Sequence, residues 1–472
     1  MTRKTRNLVI SLLTLMVIAA GFLFTRLKEK PEEAAPAVEA KAPEILSDYT
    51  VTNLRSITVV NSDKKMHFFN SDGENWMISD VPDNFRILKD RLAVEIRTLS
   101  KLQSRTVISE DTDEARLTEF GLNPPEAMIT FKDNDGEILS VEVGKANPSD
   151  TGRYSRLSGS QMVVLLPSYA VGAVFSSVED FRNMNLPAVN MEKLSYFEYR
   201  HNGTTFSIIP REGDDDFVAM VGPFDIISPW RNHYALDDQT FQKVLGEETP
   251  LPSRVRDFLD SADSENPMFG LDEKSADYLK LADGDGNVLN LIIGTEDGQG
   301  NRYVRFGDHE DSLFLLSDSD LAVLNTDPFR FMSKFVFLGS IFQVSQVKVE
   351  RSTETWIMKR TERGEPEDTD DDRFIVNNLE VPKKEFTSVY QKFISIMYEG
   401  EVKENTALKS PEVRITISNV KPEIERRIIR YWPYNDTYYQ VSIDSNPIEF
   451  LVGRYQVEEF IEDLAALSEY GS

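Results

Sequence analysis

The sequence predicts an α+β fold: tandem repeated antiparallel-sheet modules with helices packed on one face, preceded by a single N-terminal transmembrane helix. Three observations carry this expectation. A motif recurs at an offset of 149 residues, each copy alternates apolar and polar residues ahead of an amphipathic helical stretch, and the chain opens on one uninterrupted apolar segment.

Leu8 to Phe24 are seventeen uncharged, mostly apolar residues between Arg3, Lys4 and Arg6 on one side and Arg26, Lys28 and Lys30 on the other. That is the short end of a spanning helix. A signal peptide would need small residues at its cleavage positions, and Phe22 to Arg26 supply none, so residues 1–26 read as a basic tail and an uncleaved anchor. The basic counts tie across the segment and leave its orientation undecided. For such a segment at the start of a bacterial chain, the expectation is a cytoplasmic N terminus with the body exported. It would then sit on the periplasmic or extracytoplasmic side of the inner membrane as a single-pass protein. Residues 27–45, rich in Pro, Ala, Glu and Lys, form a solvated linker.

The rest must fold. Forty per cent of the 472 residues are hydrophobic and 10% aromatic, above the regime of disordered chains. The 52 Lys+Arg and 79 Asp+Glu leave a net charge of -27. Without a long basic run interleaved with aromatics, so acidic a surface argues against nucleic-acid binding. The absence of cysteine excludes disulfides, thiolate metal sites, a cysteine nucleophile and a lipoprotein anchor, and leaves the compartment open.

Phe120-Gly121-Leu122 recurs as Phe269-Gly270-Leu271. After each come an alternating strand, a turn and a second strand that ends at Gly144 or Gly294. Arg153, Tyr154 and Arg156 then align with Arg302, Tyr303 and Arg305. A third, degenerate copy keeps the strand order without the Phe-Gly-Leu step and places Tyr438, Tyr439 and Val441 opposite the Arg-Tyr-Arg set. The copies run over 46–190, 191–343 and 344–472.

In front of each repeat lies a hairpin and then a helix. The first helix carries Phe85, Leu88, Leu92, Ile96 and Leu99 at helical steps, with Asp83 placed to cap it. The second is built on Phe241, Val244 and Leu245 behind Asp237. The third shows Phe386, Val389, Phe393 and Met397 and is opened by Pro382 in its first turn. A closing helix presents Val457, Phe460, Ile461 and Leu464 on one face. Trp76 and Trp356 occupy matching hairpin positions and read as core anchors.

Chemistry is sparse. His67, His201, His233 and His309 are scattered without ligand spacing, so no metal site and no cofactor is expected. The turns Asp133 to Gly136 and Asp283 to Asn287 fail the EF-hand pattern, since Val288 and Gly294 stand where Gly and Glu belong, and they read as hairpin turns. The acidic run Gly364 to Arg373 and its equivalent Asp214 to Asp216 read as solvated loops. No GxSxG elbow, Walker loop or GxGxxG is present, and no catalytic residue is assigned. The recurring Arg153, Tyr154, Arg156, Arg302, Tyr303 and Arg305 are either the wet face of a strand with Tyr toward the core or a ligand-reading set.

The basic start, single apolar segment and acidic linker, the ITVVN hairpin ending in ENWMI, then VISED, EFGLNPPEAMITF, LSVEVGK and GRYSRLSGSQMVVLLP, together resemble the bacterial domain-of-unknown-function family 4340, most closely over residues 56–190. The resemblance implies a membrane-tethered protein, often encoded beside an ABC-type export permease and a gliding-motility-type auxiliary protein. It carries over no catalytic residue. The expected function is a non-enzymatic accessory or scaffold of such a complex. The alternatives are a module that binds envelope polysaccharide or peptide, and an envelope hydrolase using unrecognised carboxylates.

Overall fold

The computed structural model describes residues 44–469 apart from 71, 73–74, 213–221, 261, 362–371 and 405–409, and omits the side chains of 309–311. The expected anchor, nearly all of the linker, Asp214 to Asp216 and most of the acidic run at 364–373 lie outside the described residues. Among the described residues no helix is long and apolar enough to cross a membrane.

Three large antiparallel sheets follow one another, of eight, nine and nine strands, beside a two-stranded ribbon that pairs Glu44–Ile45 with Gln103–Ser104. In each large sheet the module's first strand is central. In the first module Leu54–Asn61 pairs on one side with Lys65–Asn70 of its hairpin and on the other with Ala127–Asp133, where a four-strand meander begins. Leu194–His201 holds that place in the second sheet, between Thr204–Pro210 and Asp277–Asp283. Val344–Arg351 holds it in the third, between Glu354–Thr361 and Val413–Asn419. Antiparallel pairing follows from the short turns, and alternation decides the faces. Ile57, Val59, Ile129 and Phe131 point into the first core, and Thr58 and Thr130 point away. Both acidic turns are hairpin turns: Asp283 accepts hydrogen bonds from the backbone N–H groups of Asn190, Asp285 and Asn287, and these hold its carboxyl down at about 2.

Helices cover one face of each sheet. Lys89–Leu99 buries Leu92, Ile96 and Leu99 against the first. Lys383–Ile394 buries Phe386, Val389, Tyr390 and Phe393 against the third, where Arg454–Ser468 adds Val457, Phe460, Ile461 and Leu464 as expected. In the second module Asp238–Lys243 continues as a π-helical turn, Val244–Glu248, and Asp237 caps its start by accepting from the Thr240 N–H.

Four details correct the sequence reading. Asp83 caps nothing, because the first helix begins only at Lys89: Ile87 bridges to Arg182, whose guanidinium sits 4.3 Å over the Phe85 ring, and this keeps the segment before Leu88 extended. Pro382 is the N-cap residue, one position before the first turn. The face away from these helices is not simply wet. The short helix Glu114–Glu119 and the Phe-Gly-Leu step build a small apolar cluster there from Leu117, Phe120, Leu122 and Val163, and Phe269, Leu271, Ile292 and Leu313 repeat it in the second module. Strand pairing also sets the register of the third copy, so Tyr439, Gln440 and Ser442 stand where Arg153, Tyr154 and Arg156 stand in the first.

The chain divides between Asn183 and Met184 into two compact units. The second and third sheets belong to one of them and share a continuous hydrophobic core. Within it Glu449 accepts from the Arg231 N–H at 2.7 Å, Asn232 Nδ2 at 3.1 Å and the Tyr234 hydroxyl at 2.8 Å, while Trp230 and Tyr234 pack edge-on against Phe450.

Candidate functional site

The structure divides the recurring Arg-Tyr-Arg residues between two faces of their sheets. Arg153 and Arg302 lie on the helix-covered face. Tyr154, Arg156, Tyr303 and Arg305 lie on the other.

On that second face the Tyr154 ring sits 4.4 Å from Phe120 and the Tyr303 ring 4.6 Å from Phe269, so each tyrosine seals the small cluster made by its Phe-Gly-Leu step. Arg156 Nε donates to Glu142 at 2.6 Å and Arg156 Nη1 to the Ser160 carbonyl at 2.9 Å. Arg305 reaches Glu273 at 3.1 Å and the Phe306 carbonyl at 3.2 Å. The second meander strands run on to Ala146 and Glu296, two residues past the glycines where the sequence reading ends them, and those glycines have a matching reason. A Cβ on Gly144 would strike the Phe120 carbonyl oxygen, and one on Gly294 that of Phe269. The strand bulges at this point in both modules.

On the helix-covered face the arginines staple that bulge. Arg153 Nη1 donates to the Gly144 carbonyl at 3.0 Å and to Glu126 at 2.9 Å, with its guanidinium 3.9 Å over the Phe175 ring. Arg302 Nε donates to the Gly294 carbonyl at 2.7 Å and Nη2 to Asp277 at 3.3 Å. In the third module Tyr439 takes the same place, with its hydroxyl 2.8 Å from Glu412 and 2.7 Å from Glu458, between Arg351 and Arg454, which both pair with Glu412. Each module thus closes the same corner with a different set of opposed charges. Removing the staple leaves a half-buried carbonyl and carboxylate without their charged donor. Arg302→Met should therefore lower the stability of its unit by about 1–3 kcal/mol, read from urea unfolding by intrinsic fluorescence. An unchanged midpoint would show that the contact is idle.

The corner of the second module is the most enzyme-like arrangement in the described chain. His201 Nδ1 lies 2.8 Å from Asp277, and its Nε2 lies 2.9 Å from Asn202 Nδ2, at the edge of a cavity of about 410 Å³ that Arg302, Glu296 and Asp318 also line. With the Asn202 amide donating to Nε2, the ring proton sits on Nδ1 and is directed at Asp277. Both nitrogens are then engaged within the fold. His67 pairs with Thr58 at 2.9 Å, and burial and then Lys65 hold its imidazole below the usual range. Among the described residues no three His, Asp or Glu side chains are grouped to share a cation.

Features without a sequence signal lie in the larger unit. Arg360 and Asp372 form an ion pair at 2.6 Å with both side chains 1% exposed. This corrects the solvated reading of the acidic run for its penultimate residue, Asp372. Lys334 donates to the carbonyls of Phe329 and Met332 and sits 3.7 Å over the Phe329 ring, and burial draws its ammonium down to about 8. A cavity of about 900 Å³ with Leu186, Phe224, Phe241, Leu245, Leu281 and Leu289 in its wall opens beside the π-helical turn of the second module. No spacing in the sequence marks any of these: the cavity wall comes from segments far apart along the chain, and the burial of Lys334 and of the Arg360–Asp372 pair is set by the packing around them.

No curated protein matches the chain. Among solved structures, the DNA polymerase sliding clamp from Pseudomonas aeruginosa is similar at a TM-score of 0.13 and 7% identity, over 86% of this chain and 93% of that one, a likeness that carries no argument. The family described as Domain of unknown function (DUF4340) matches residues 76–266 and 252–411. These two overlapping segments take in most of the three-sheet body, and the protein belongs to that family.

Proposed function

We propose that the protein is a membrane-anchored, extracytoplasmic and non-enzymatic accessory or scaffold of an ABC-type transport or gliding-motility-type complex. One observation carries the non-enzymatic part. The charged and aromatic residues that recur between modules are spent inward, on strand bulges, corner staples and cluster seals. A repeated constellation used in that way supports a repeated body rather than a repeated reaction. The anchored and exported parts rest on the apolar segment Leu8 to Phe24, its basic flanks and the linker behind it. The partner class rests on the resemblance to a family often encoded beside an export permease.

Photocrosslinking in intact cells tests the reading. A crosslinker placed in turn at exposed positions such as Lys132, Lys274 and Lys384 should capture a permease or auxiliary subunit from at least one module. Recovery of neither from any site, with the chain expressed at its native level, would remove the proposal.

A further inference from the structure

The net charge of -27 is not spread evenly over the surface. The open face of the third sheet, away from its helices, has the opposite sign. On its four central strands every outward charged residue but one is a cation: Lys359, Lys348, Arg414 and Arg430, against Glu350 alone among the described residues. Lys348 is paired with Glu350 at 2.6 Å. Arg414 and Lys359 are exposed and pair with no described residue. In a chain with 79 carboxylates and 52 cations, a guanidinium and an ammonium with no partner among the described residues stand out on the flat of a sheet.

Strand register shows how these cations are arranged. Lys359 pairs across to Gln346, Lys348 lies two residues further along that neighbouring strand, Glu350 pairs across to Arg414, and Arg414 pairs across to Arg430. The four therefore form a diagonal band over four adjacent strands. With strands about 4.8 Å apart and about 3.4 Å per residue, the band is about 20 Å long. Half-buried Ile357, Ile428 and Trp432 share the same face and give it apolar footing beside the charges.

We infer that this face docks a short, extended, acidic polypeptide segment of a partner protein, with carboxylates alternating with aliphatic side chains. The band's length is that of about six extended residues, and alternation sends every second side chain of such a segment toward the sheet. Charge complementarity selects an anion, and the rest of the molecule selects a short one. Screening confines the band's attraction to about 8–10 Å at physiological salt, so a membrane plane or a long polyphosphate would run off it onto the acidic remainder of the surface. A segment no longer than the band meets only its cations. Arg414 suits a carboxylate in particular, because a guanidinium donates two parallel hydrogen bonds to one, and Arg430, whose Nη1 donates to the Asp444 carbonyl, adds a second positive charge across from it. The inference goes beyond the accessory reading, since it stands on the charge pattern of this face alone.

The test uses the full chain in neutral detergent and a fluorescein-labelled peptide, Glu-Val-Glu-Ile-Glu-Val-Glu, followed by fluorescence anisotropy. Binding should be seen at low salt and weaken as salt rises. Lys359→Glu combined with Arg414→Glu should weaken it at least about tenfold, while Lys89→Glu combined with Lys384→Glu, an equal change of net charge elsewhere, should change it less than about twofold. All four residues are exposed, so both variants should keep the unfolding midpoint of the parent chain. Equal losses in the two variants, or equal binding of the glutamine-for-glutamate peptide, would overturn the inference. So would sodium polyphosphate binding that responds to the Lys359 and Arg414 reversals when peptide binding does not, which would make the face a phosphate-polymer site. None of these results would bear on the in-cell crosslinks, so the two proposals fail separately.

Discussion

Asp372→Ala should destabilise the unit that begins at Met184 by about 3–5 kcal/mol. The Arg360 guanidinium would lose the Asp372 carboxylate in a site where its side chain is 1% exposed, while the Ile341 carbonyl stays 2.7 Å from Nη1. Taking a carboxylate away from a buried cation is the costly step, not the absence of an ion pair as such. The double replacement Arg360→Met with Asp372→Leu should therefore recover much of the loss. Urea unfolding followed by tryptophan fluorescence reads both, because Trp230, Trp356 and Trp432 all lie in this unit. A single-variant loss below about 1 kcal/mol would mean that water reaches the pair, and its burial would then be wrong.

Phe393→Ala should cost about 3–5 kcal/mol in the same unit. The ring is 1% exposed and lies 5.4 Å from Phe337 and 5.3 Å from Phe460, where helices Lys383–Ile394 and Arg454–Ser468 meet over the third sheet. Truncation removes the transfer free energy of the ring and leaves a cavity that two helices and a sheet cannot close together. Phe393→Leu keeps most of the volume and should cost less than half as much. Similar losses for the two variants would point to something other than a cavity, and no loss for either would mean that the helix layer is loosely seated.

Much of this architecture was legible along the chain. The hairpins and meanders showed as alternation, because a strand with one buried face must alternate whatever its partner is. The closing helix showed as Val457, Phe460, Ile461 and Leu464, all buried in the structure. The repeat of Phe-Gly-Leu, glycine and Arg-Tyr-Arg was legible as a pattern but not as a purpose. Glycine is needed at 144 and 294 only because the carbonyls of Phe120 and Phe269 come back to those points. The arginines staple the same bulge from the opposite side. A spacing of 149 residues says that two segments do the same job, and only their surroundings say which job that is.

Where local signals fail, a distant partner overrules them. Asp83 is a good cap by its neighbours, but Arg182, ninety-nine residues on, holds Phe85 and Ile87 out of the helix. The third copy was set one residue out because tyrosine cannot be aligned with arginine by type, whereas strand pairing aligns Tyr439 with Arg153 directly.

Residues within a few positions of one another settle most of the strands and helices, the apolar side that each turns to the other, and the repetition of the body. That the second and third sheets share one core, that Asp372 is buried against Arg360, and that the cations of four strands line up on one face is visible only in the folded chain. Those facts depend on register and on contacts as far apart as Arg231 and Glu449, and a period of two or 3.6 residues carries no information about which strand lies alongside.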